Sequence, residues 1–448
     1  MISRHVSRFQ TAFPVPISEK PDSAITGPPG ATSLWKLFAT SFSGGRVEFY
    51  CGSASKSYRT LRHVNQPRSL YIHVPFCAHR CGYCDFTLVA GKDHLAEKYL
   101  DALSLEIDRE LQIHGDAELA TQPKPEIDTV FFGGGTPTQL SAAQLKRLYA
   151  IVHDRFQLTS ETEFSVEANP ARMTDEKIAV LADAGVNRIS LGVQSFDDAT
   201  LTMLERDHRR ADVFGCVDRV KVRIANVSLD LIFAVPGQTL ALWESTLQTA
   251  IDLSPTHLST YGLTFEKGTA FWTRREKGEL PQASDDLERQ MYEVAMEKLA
   301  AADFHQYEIS SFARPGFRCR HNQVYWSGQT YFGFGPGAAS LMNNERRQNH
   351  RSVTTWLKKV LAGESAIGDV EKLDPESRAR ELLVLGLRTN DGVERAWFQE
   401  TSGYGLNDLA GETINRLIEK GLLEETGSTI RLSHEGRFLA DTVAGELL

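Results

Sequence analysis

Three cysteines stand in the run Cys77-Ala-His-Arg-Cys81-Gly-Tyr-Cys84, a CxxxCxxC spacing on a turn that follows the short apolar stretch Leu70–Val74. Thiolates are soft donors, and three on one loop suit three irons of a four-iron, four-sulfur cubane that four cysteines normally hold. The remaining iron is then open to a small-molecule ligand, and chemistry can begin there. Structural zinc prefers two separated Cys or His pairs, and no second pair follows at a suitable distance. Cys51, Cys216 and Cys319 lie far apart in sequence and predict no disulfide framework. A reducing cytoplasm suits free thiols and an oxygen-sensitive cluster alike.

The elements that must position this loop begin at Arg68, where short apolar strands start to alternate with amphipathic helices. The pattern predicts strand Leu70–Val74 with a helix around Leu95–Ile113, strand Asp128–Phe132 with helix Ala142–Phe156, and strand Thr162–Ala168 with helix Asp175–Ala184. Strands Asn187–Val193, Val227–Val235 and His257–Leu263 follow, with helices near Asp197–Leu204, Leu240–Leu253 and Asp286–Ala301. Six βα units with short connections imply a parallel sheet with helices outside, doubly wound or curved. Polar and glycine-rich residues fall at the carboxyl ends of successive strands: the cysteine loop, Gly133-Gly134-Gly135-Thr136-Pro137, Glu167-Ala-Asn169, Gly192-Val-Gln194, and Asp230 with Pro236-Gly237. Active sites of βα barrels assemble on that rim, so the expectation is an α/β fold, a partial (β/α)6 barrel with an open side. Each piece also has a plain reading. The glycines suit a tight turn, Glu167 and Asp230 suit helix caps or solvated strand ends, and Tyr71 suits a core.

CxxxCxxC with the aromatic Tyr83 just before the last cysteine resembles the signature of the radical S-adenosylmethionine (SAM) superfamily. That resemblance implies the same six-stranded partial barrel, with SAM chelating the open iron and cleaved to a 5'-deoxyadenosyl radical by an electron from the cluster. The protein's share is to bind, orient and shield. The resemblance assigns Cys77, Cys81 and Cys84 to the cluster and the run holding Gly134, Gly135 and Thr136 to the amino-acid end of SAM. It places Glu167, Asp230, Gln194 and Arg206 at or around the ribose, and Tyr71 and Tyr83 against the cofactor.

Within the superfamily, five runs resemble the coproporphyrinogen dehydrogenase and heme chaperone group: Tyr71-Ile-His-Val-Pro-Phe-Cys77, Phe131-Phe-Gly-Gly-Gly-Thr-Pro-Thr, Ser190-Leu-Gly-Val-Gln-Ser-Phe, Asp230-Leu-Ile-Phe-Ala-Val-Pro-Gly-Gln-Thr and His321-Asn322-Gln-Val-Tyr325-Trp326. The oxygen-independent dehydrogenase of this group carries a fourth cysteine two residues after the third; here that residue is Phe86. The heme chaperone (HemW) branch shows CxxxCxxCxF together with HNxxYW, and both are present. The resemblance therefore implies a protein that binds heme, a 4Fe-4S cluster and SAM, uses an electron donor, and passes heme to an acceptor protein. Oxidative decarboxylation of coproporphyrinogen III is the alternative. His321 is the first candidate for heme iron, since imidazole is a common axial ligand, and Cys319 offers a thiolate nearby. Tyr325, Trp326, Tyr331, Phe332 and Phe334 could stack on a porphyrin, and Arg318, Arg320, Arg346 and Arg347 could pair with propionates. The competing reading makes the HNxxYW loop a structural latch with His321 satisfied by hydrogen bonds.

The chain has 448 residues, 41% of them hydrophobic, enough for a large core and an appended domain. The expected division is a leader (1–66), the barrel (67–303), a connecting segment with the HNxxYW loop (304–370) and a C-terminal domain (371–448). In the last, helices Arg380–Leu387 and Leu409–Lys420 and the apolar pairs flanking Gly427 read as a small winged-helix-like module that the resembling family uses to cap the open barrel. The leader carries eight Lys and Arg against three acids, net +5, leaving −14 for the remainder of a chain whose total is −9. An acidic body, with only Lys420 and Arg431 basic near the wing, argues against a nucleic-acid partner. No apolar run approaches the roughly 20 residues that span a bilayer. The leader, rich in Ser, Gly, Pro and Arg, reads as disordered, as a transit segment, or as sequence ahead of a true start near Pro67.

Overall fold

The computed structural model describes residues 66–114 and 124–448; residues 1–65 of the leader, with Cys51, lie outside the described residues. Strands β1 (Ser69–Val74), β2 (Glu126–Gly134), β3 (Gln157–Ala168), β4 (Arg188–Gln194), β5 (Asn226–Phe233) and β6 (His257–Gly262) lie side by side and all parallel. The crossovers carry α1 (Ala96–His114), α2 (Ala142–Arg155), α3 (Asp175–Asp183), α4 (Asp198–Met203) with α5 (Arg210–Lys221), and α6 (Leu240–Asp252); α7 (Ala270–Glu276) and α8 (Asp285–Ala301) follow β6. The six expected units are present. Helices α5 and α7 were not expected, α5 because its hydrophobic positions Val213, Cys216, Val217 and Val220 are interleaved with charges that blur the stripe. Several helices start at a side-chain cap: Ser141 accepts from Gln144 N, Thr174 from Lys177 N and Thr239 from Leu242 N.

Period-two alternation sorts the two faces of the sheet. Leu70, Ile72, Val74, Val130, Phe132, Ile189, Leu191, Leu229 and Leu231 are buried in the shared core with the helices. The alternate residues, among them Ser69, Tyr71 and His73 of β1 and Glu163, Ser165 and Glu167 of β3, are turned to the other side, which is polar.

Residues 304–370 contribute strands of their own to the sheet. They add β7 (His305–Glu308) and β8 (Ser311–Ala313), antiparallel beside β6, and β9 (Phe332–Phe334), parallel beside β1, so the sheet order is β9-β1-β2-β3-β4-β5-β6-β8-β7. A six-stranded partial barrel leaves two rows of unpaired backbone groups, and these short strands cover both. Three- and four-residue strands are too short to show a period, which is why the sequence does not reveal them. Between them runs α9 (Arg320–Trp326), the HNxxYW segment. A second sheet follows, of β10 (Ala339–Met342), β11 (Glu345–Asn349) and β12 (Ile367–Lys372), with α10 (Val353–Leu361) inserted before the last.

The C-terminal segment holds α11 (Pro375–Leu387), β13 (Val393–Glu394), α12 (Arg395–Ser402), α13 (Leu406–Glu419), and the hairpin of β14 (Leu423–Thr426) and β15 (Thr429–Leu432), in strand order β13-β15-β14. This is a winged-helix arrangement, with Gly427 at positive φ opening the two-residue hairpin loop. Helix α12, ended by left-handed Gly403, was not expected. The module is fastened to the barrel by a buried ion pair, Arg388 Nε to Glu308 Oε2 at 3.4 Å, with the Arg388 guanidinium 4.6 Å from the centre of the Trp326 ring.

Replacing Arg388 by Ala leaves Glu308 as an unpaired buried charge and should cost about 3 kcal/mol. Arg318→Ala, which removes an exposed partner of Asp391, should cost less than about 1 kcal/mol. Urea midpoints of the two variants measure the contrast.

Candidate functional site

A cavity of about 250 Å³ opens where the barrel strands end. Cys77, Cys81, Tyr83 and Cys84 form one wall; Gly134, Gly135 and Thr136 at the end of β2, Glu167 on β3, Gln194 on β4, Arg206 beyond α4 and Asp230 on β5 form the rest. The structure thus brings eleven of the thirteen expected site residues to one cavity. Tyr71 and His321 do not border it.

The cysteine loop is held from several sides. Phe76–Cys77 pairs with Val89–Ala90, and Arg80 donates to the carbonyls of Cys84 and Leu88 at 3.1 Å each. Gly82 sits against Phe271 of α7, where a Cβ would come within 2.3 Å of the ring, and Phe271 N donates to Gly82 O. Glu205 lies 2.7 Å from Arg274 and 3.6 Å from His79, tying the same helix to the loop. Thr136 Oγ1 is 3.3 Å from Cys77 Sγ, and Arg206 donates to Cys81 Sγ at 3.7 Å and to Gly192 O at 2.8 Å. Among the described residues, no group of three or more His, Cys, Asp or Glu side chains gathers tightly enough to hold a single metal ion. Three thiols of one loop bordering one void suit a polynuclear iron–sulfur cluster, whose metal sites are separate. Burial raises the Cys77 thiol, and burial with the neighbouring Cys77 and Cys81 pushes Cys84 up to about 12. Metal coordination is the ordinary way to make such thiols anionic.

The glycine run is demanded by packing before any ligand arrives. A Cβ on Gly133 would lie 2.9 Å from Glu167 Oε2, on Gly134 2.4 Å from the His73 ring, and on Gly135 2.8 Å from Phe76 O. Gly134 also has φ of 105°. A side chain at 134 would thus be aimed at His73 instead of into the cavity. Gly134 N donates to Glu167 Oε2 at 3.0 Å. Burial, with the Asp230 carboxylate adding to it, pushes Glu167 up to about 8. Burial also raises Asp230, opposed by Arg188 and by hydrogen bonds from serines, of which Ser190 Oγ lies 3.0 Å away. Gln194 has a positive φ of 65°, which turns its side chain as β4 ends. Asn169, Arg172 and Asp207, linked by bonds of 2.8 and 2.7 Å, complete the rim, and Tyr261 and Leu263 stand opposite. Asn169 stood within a noted run; Tyr261, Arg172 and Asp207 had no signal of their own in the sequence.

His321 is at the other end of the barrel. Its Nδ1 is 3.2 Å from Ser69 Oγ and 3.0 Å from Thr129 Oγ1, at the starts of β1 and β2, and its Nε2 is 2.9 Å from Tyr325 Oη. It is 1% exposed, and burial lowers its pKa to about 3. Both ring nitrogens have hydrogen-bond partners inside the protein, and the HNxxYW helix plugs the barrel floor. Glu163 caps it, accepting from Arg320 N and His321 N at 2.9 Å. Cys319 is fully buried beside the same carboxylate. Tyr71 lies inside the barrel, stacked on Phe131, with Oη 3.1 Å from His73 Nδ1. Its place against the cofactor is therefore not supported. A small polar void of about 30 Å³ between floor and rim, bordered by Arg188, Glu167, Asp230, His321 and Tyr325, has room for about two waters.

Comparison with known proteins agrees with this geometry. The sequence model of the Radical SAM superfamily matches residues 71–250, and that of the HemN C-terminal domain matches residues 373–439. The heme chaperone HemW of Bacillus subtilis is 38% identical over 383 residues, covering 85% of this chain and 99% of that protein. The mitochondrial radical S-adenosyl methionine domain-containing protein 1 of Bos taurus is 32% identical, covering 86% of this chain and 88% of that one. Among solved structures, the coproporphyrinogen III oxidase HemN of Escherichia coli shares the fold, with a TM-score of 0.74 and 22% identity over 86% of this chain and 91% of that one.

Two outcomes test the site. Changing Cys77, Cys81 or Cys84 to Ala should abolish iron–sulfur absorbance in reconstituted protein, whereas Cys216→Ala, buried in α5, should leave it. The raised Glu167 makes the ligand-free fold keep a proton that the unfolded chain sheds near 4.5, so this residue's contribution to stability falls as pH rises from there to about 8. Glu167→Gln should therefore lose less stability than the wild type across that window, read from denaturation midpoints at a series of pH values.

Proposed function

The chain belongs to the radical SAM superfamily and, within it, to the HemW heme chaperone family, and from that premise we propose that it binds heme and delivers it to an acceptor protein. The observation that carries the proposal is the match over nearly the whole length of the Bacillus subtilis heme chaperone, joined to Phe86, which borders the rim cavity where the coproporphyrinogen-oxidising branch has its fourth cysteine. In this reading Cys77, Cys81 and Cys84 hold a four-iron cluster that, when bound, supplies an open iron and an electron. Arg206 and Thr136 set hydrogen bonds against two of the sulfurs. The backbone of Gly134–Thr136 meets the amino-acid end of SAM, and Glu167, Asp230, Gln194 and Arg206 orient its ribose. Tyr83, Phe86 and Leu263 give the cavity apolar walls that keep water out.

The rim belongs to the body from 67 to 303, completed by the edge strands of 304–370, and residues 371–448 act as cover and as the face toward a partner. An electron donor and a heme acceptor are the partners this reading needs. No helix of the described residues is long and apolar enough to cross a membrane, which fits a cytoplasmic place of work. His321 serves as a latch, and heme iron takes another donor.

The test is anaerobic incubation of reconstituted protein with SAM and reductant, supplied with heme in one sample and coproporphyrinogen III in another. A stable Soret band with heme, and no decarboxylated product, is the expected result; repeated turnover to protoporphyrinogen IX would overturn the proposal. His321→Ala should keep the Soret maximum in place while lowering stability by about 1–3 kcal/mol, the worth of leaving the buried Tyr325 hydroxyl without the His321 nitrogen.

A further inference from the structure

Four residues before the first cysteine, His73 is enclosed more completely than packing alone requires. Its Nε2 is 2.7 Å from Thr87 O, in the return half of the cysteine loop, and its Nδ1 is 3.1 Å from Tyr71 Oη. A carbonyl oxygen can only accept, so Nε2 carries the proton and Nδ1 accepts from the tyrosine hydroxyl. The backbone around the ring is held too: Tyr99 Oη donates to His73 O at 2.8 Å. Two glycines make room for this residue, since a Cβ on Gly134 would come within 2.4 Å of the ring and one on Gly335 within 2.4 Å of His73 O. The single imidazole thus touches the glycine run at the end of β2, reaches the loop that carries the thiols, and is set in its tautomer by the barrel interior.

We propose that His73 is a positioning residue that locks the return half of the cysteine loop, and with it the spacing of Cys77 and Cys84, with Tyr71 setting its tautomer. The SAM readout rests on the cluster and SAM assignment above; the lock itself is testable on metal-free protein. Without the imidazole N–H, Thr87 O is left without that donor, and the pairing of Val89 N with Pro75 O and Gly91 N with Cys77 O loses its anchor.

The experiment compares His73→Leu, His73→Gln and Tyr71→Phe with the wild type. Gln carries an amide N–H that can replace Nε2–H, whereas Leu fills the space without a donor. In metal-free protein, amide hydrogen exchange at Val89 and Gly91 should speed up roughly tenfold in His73→Leu, the worth of one buried hydrogen bond, and exchange in β3 should not change. In reconstituted protein, His73→Leu should alter the electron paramagnetic resonance line shape of the reduced cluster and weaken SAM binding, His73→Gln should restore both, and Tyr71→Phe should fall between. Wild-type exchange, spectrum and affinity in His73→Leu, or equal damage in His73→Gln, overturns the proposal. Should His73→Leu fail to fold, Tyr71→Phe decides: local loosening at Val89 and Gly91 supports the lock, and wild-type exchange there refutes it. Normal exchange effects together with unaltered SAM binding in every variant would instead refute the cofactor placement and leave the lock standing.

Discussion

Hydrogen-bond satisfaction inside a polar barrel is the constraint on which the rest of this structure depends. The outward face of the parallel strands is apolar and closed by helices, but the inward face carries Ser69, Tyr71, His73, Thr129, Glu163, Arg188, Ser190, Ser228, Asp230, His257 and Ser259, most of them buried. Leaving such a group without a partner costs about 1–3 kcal/mol, so the lumen has to be completed by donors and acceptors from outside the six strands. At the floor, α9 does so. Its first N–H groups meet Glu163, its histidine meets Ser69 and Thr129, and its tyrosine closes the far nitrogen. His257 is satisfied in the same way, between Ser228 Oγ and Tyr307 Oη at 2.8 Å each. The HNxxYW helix thereby joins three things at once, since Trp326 lies under Arg388 of the C-terminal module.

At the rim the same accounting is left open. Glu167 and Asp230 line the cavity near one another with Arg188 below them, and desolvation raises both carboxyls. Arg206 reaches a thiol and a carbonyl, and its Nε has no hydrogen-bond partner. Two half-buried acids with raised carboxyls and a half-buried guanidinium around one void are costly as a resting arrangement. They become favourable when a ligand supplies hydroxyl donors and charge. Floor and rim are therefore two answers to one problem: the floor is closed by the protein's own chain, and the rim stays open to the cavity.

How much of this was legible in the sequence follows from range. The six strands and the site at their carboxyl ends were readable because period-two alternation and the glycine and acid punctuation are local signals. The cysteine loop was readable because its donors lie within eight residues. The edge strands β7, β8 and β9 were not, being three or four residues long. The role of His321 was not either, since its partners Ser69 and Thr129 are 252 and 192 residues away and a seven-residue helix has no periodicity to expose. The barrel partners that enclose this imidazole lie outside the range of any local pattern. Tyr71 shows the finer limit. Alternation places it on the inward face, but its level in the barrel, below the cavity, is set by register with Phe131, which no local pattern reveals.

The glycine run shows how a motif can be right in place and incomplete in cause. Three glycines beside a cluster loop invite the reading that missing side chains let a ligand approach the backbone, and Gly134, Gly135 and Thr136 do border the cavity. Yet each Cβ would first strike protein: Glu167, His73 and the backbone of Phe76 in turn. Strand β2 ends where the acid of β3, the histidine of β1 and the entry to the cysteine loop all converge, and only a chain without side chains can pass between them. Gly335 repeats the solution on the opposite side of His73. The side-chain-free backbone at the cavity wall is then a consequence of a crowded junction, and the crowding gives the cysteine loop a rigid base.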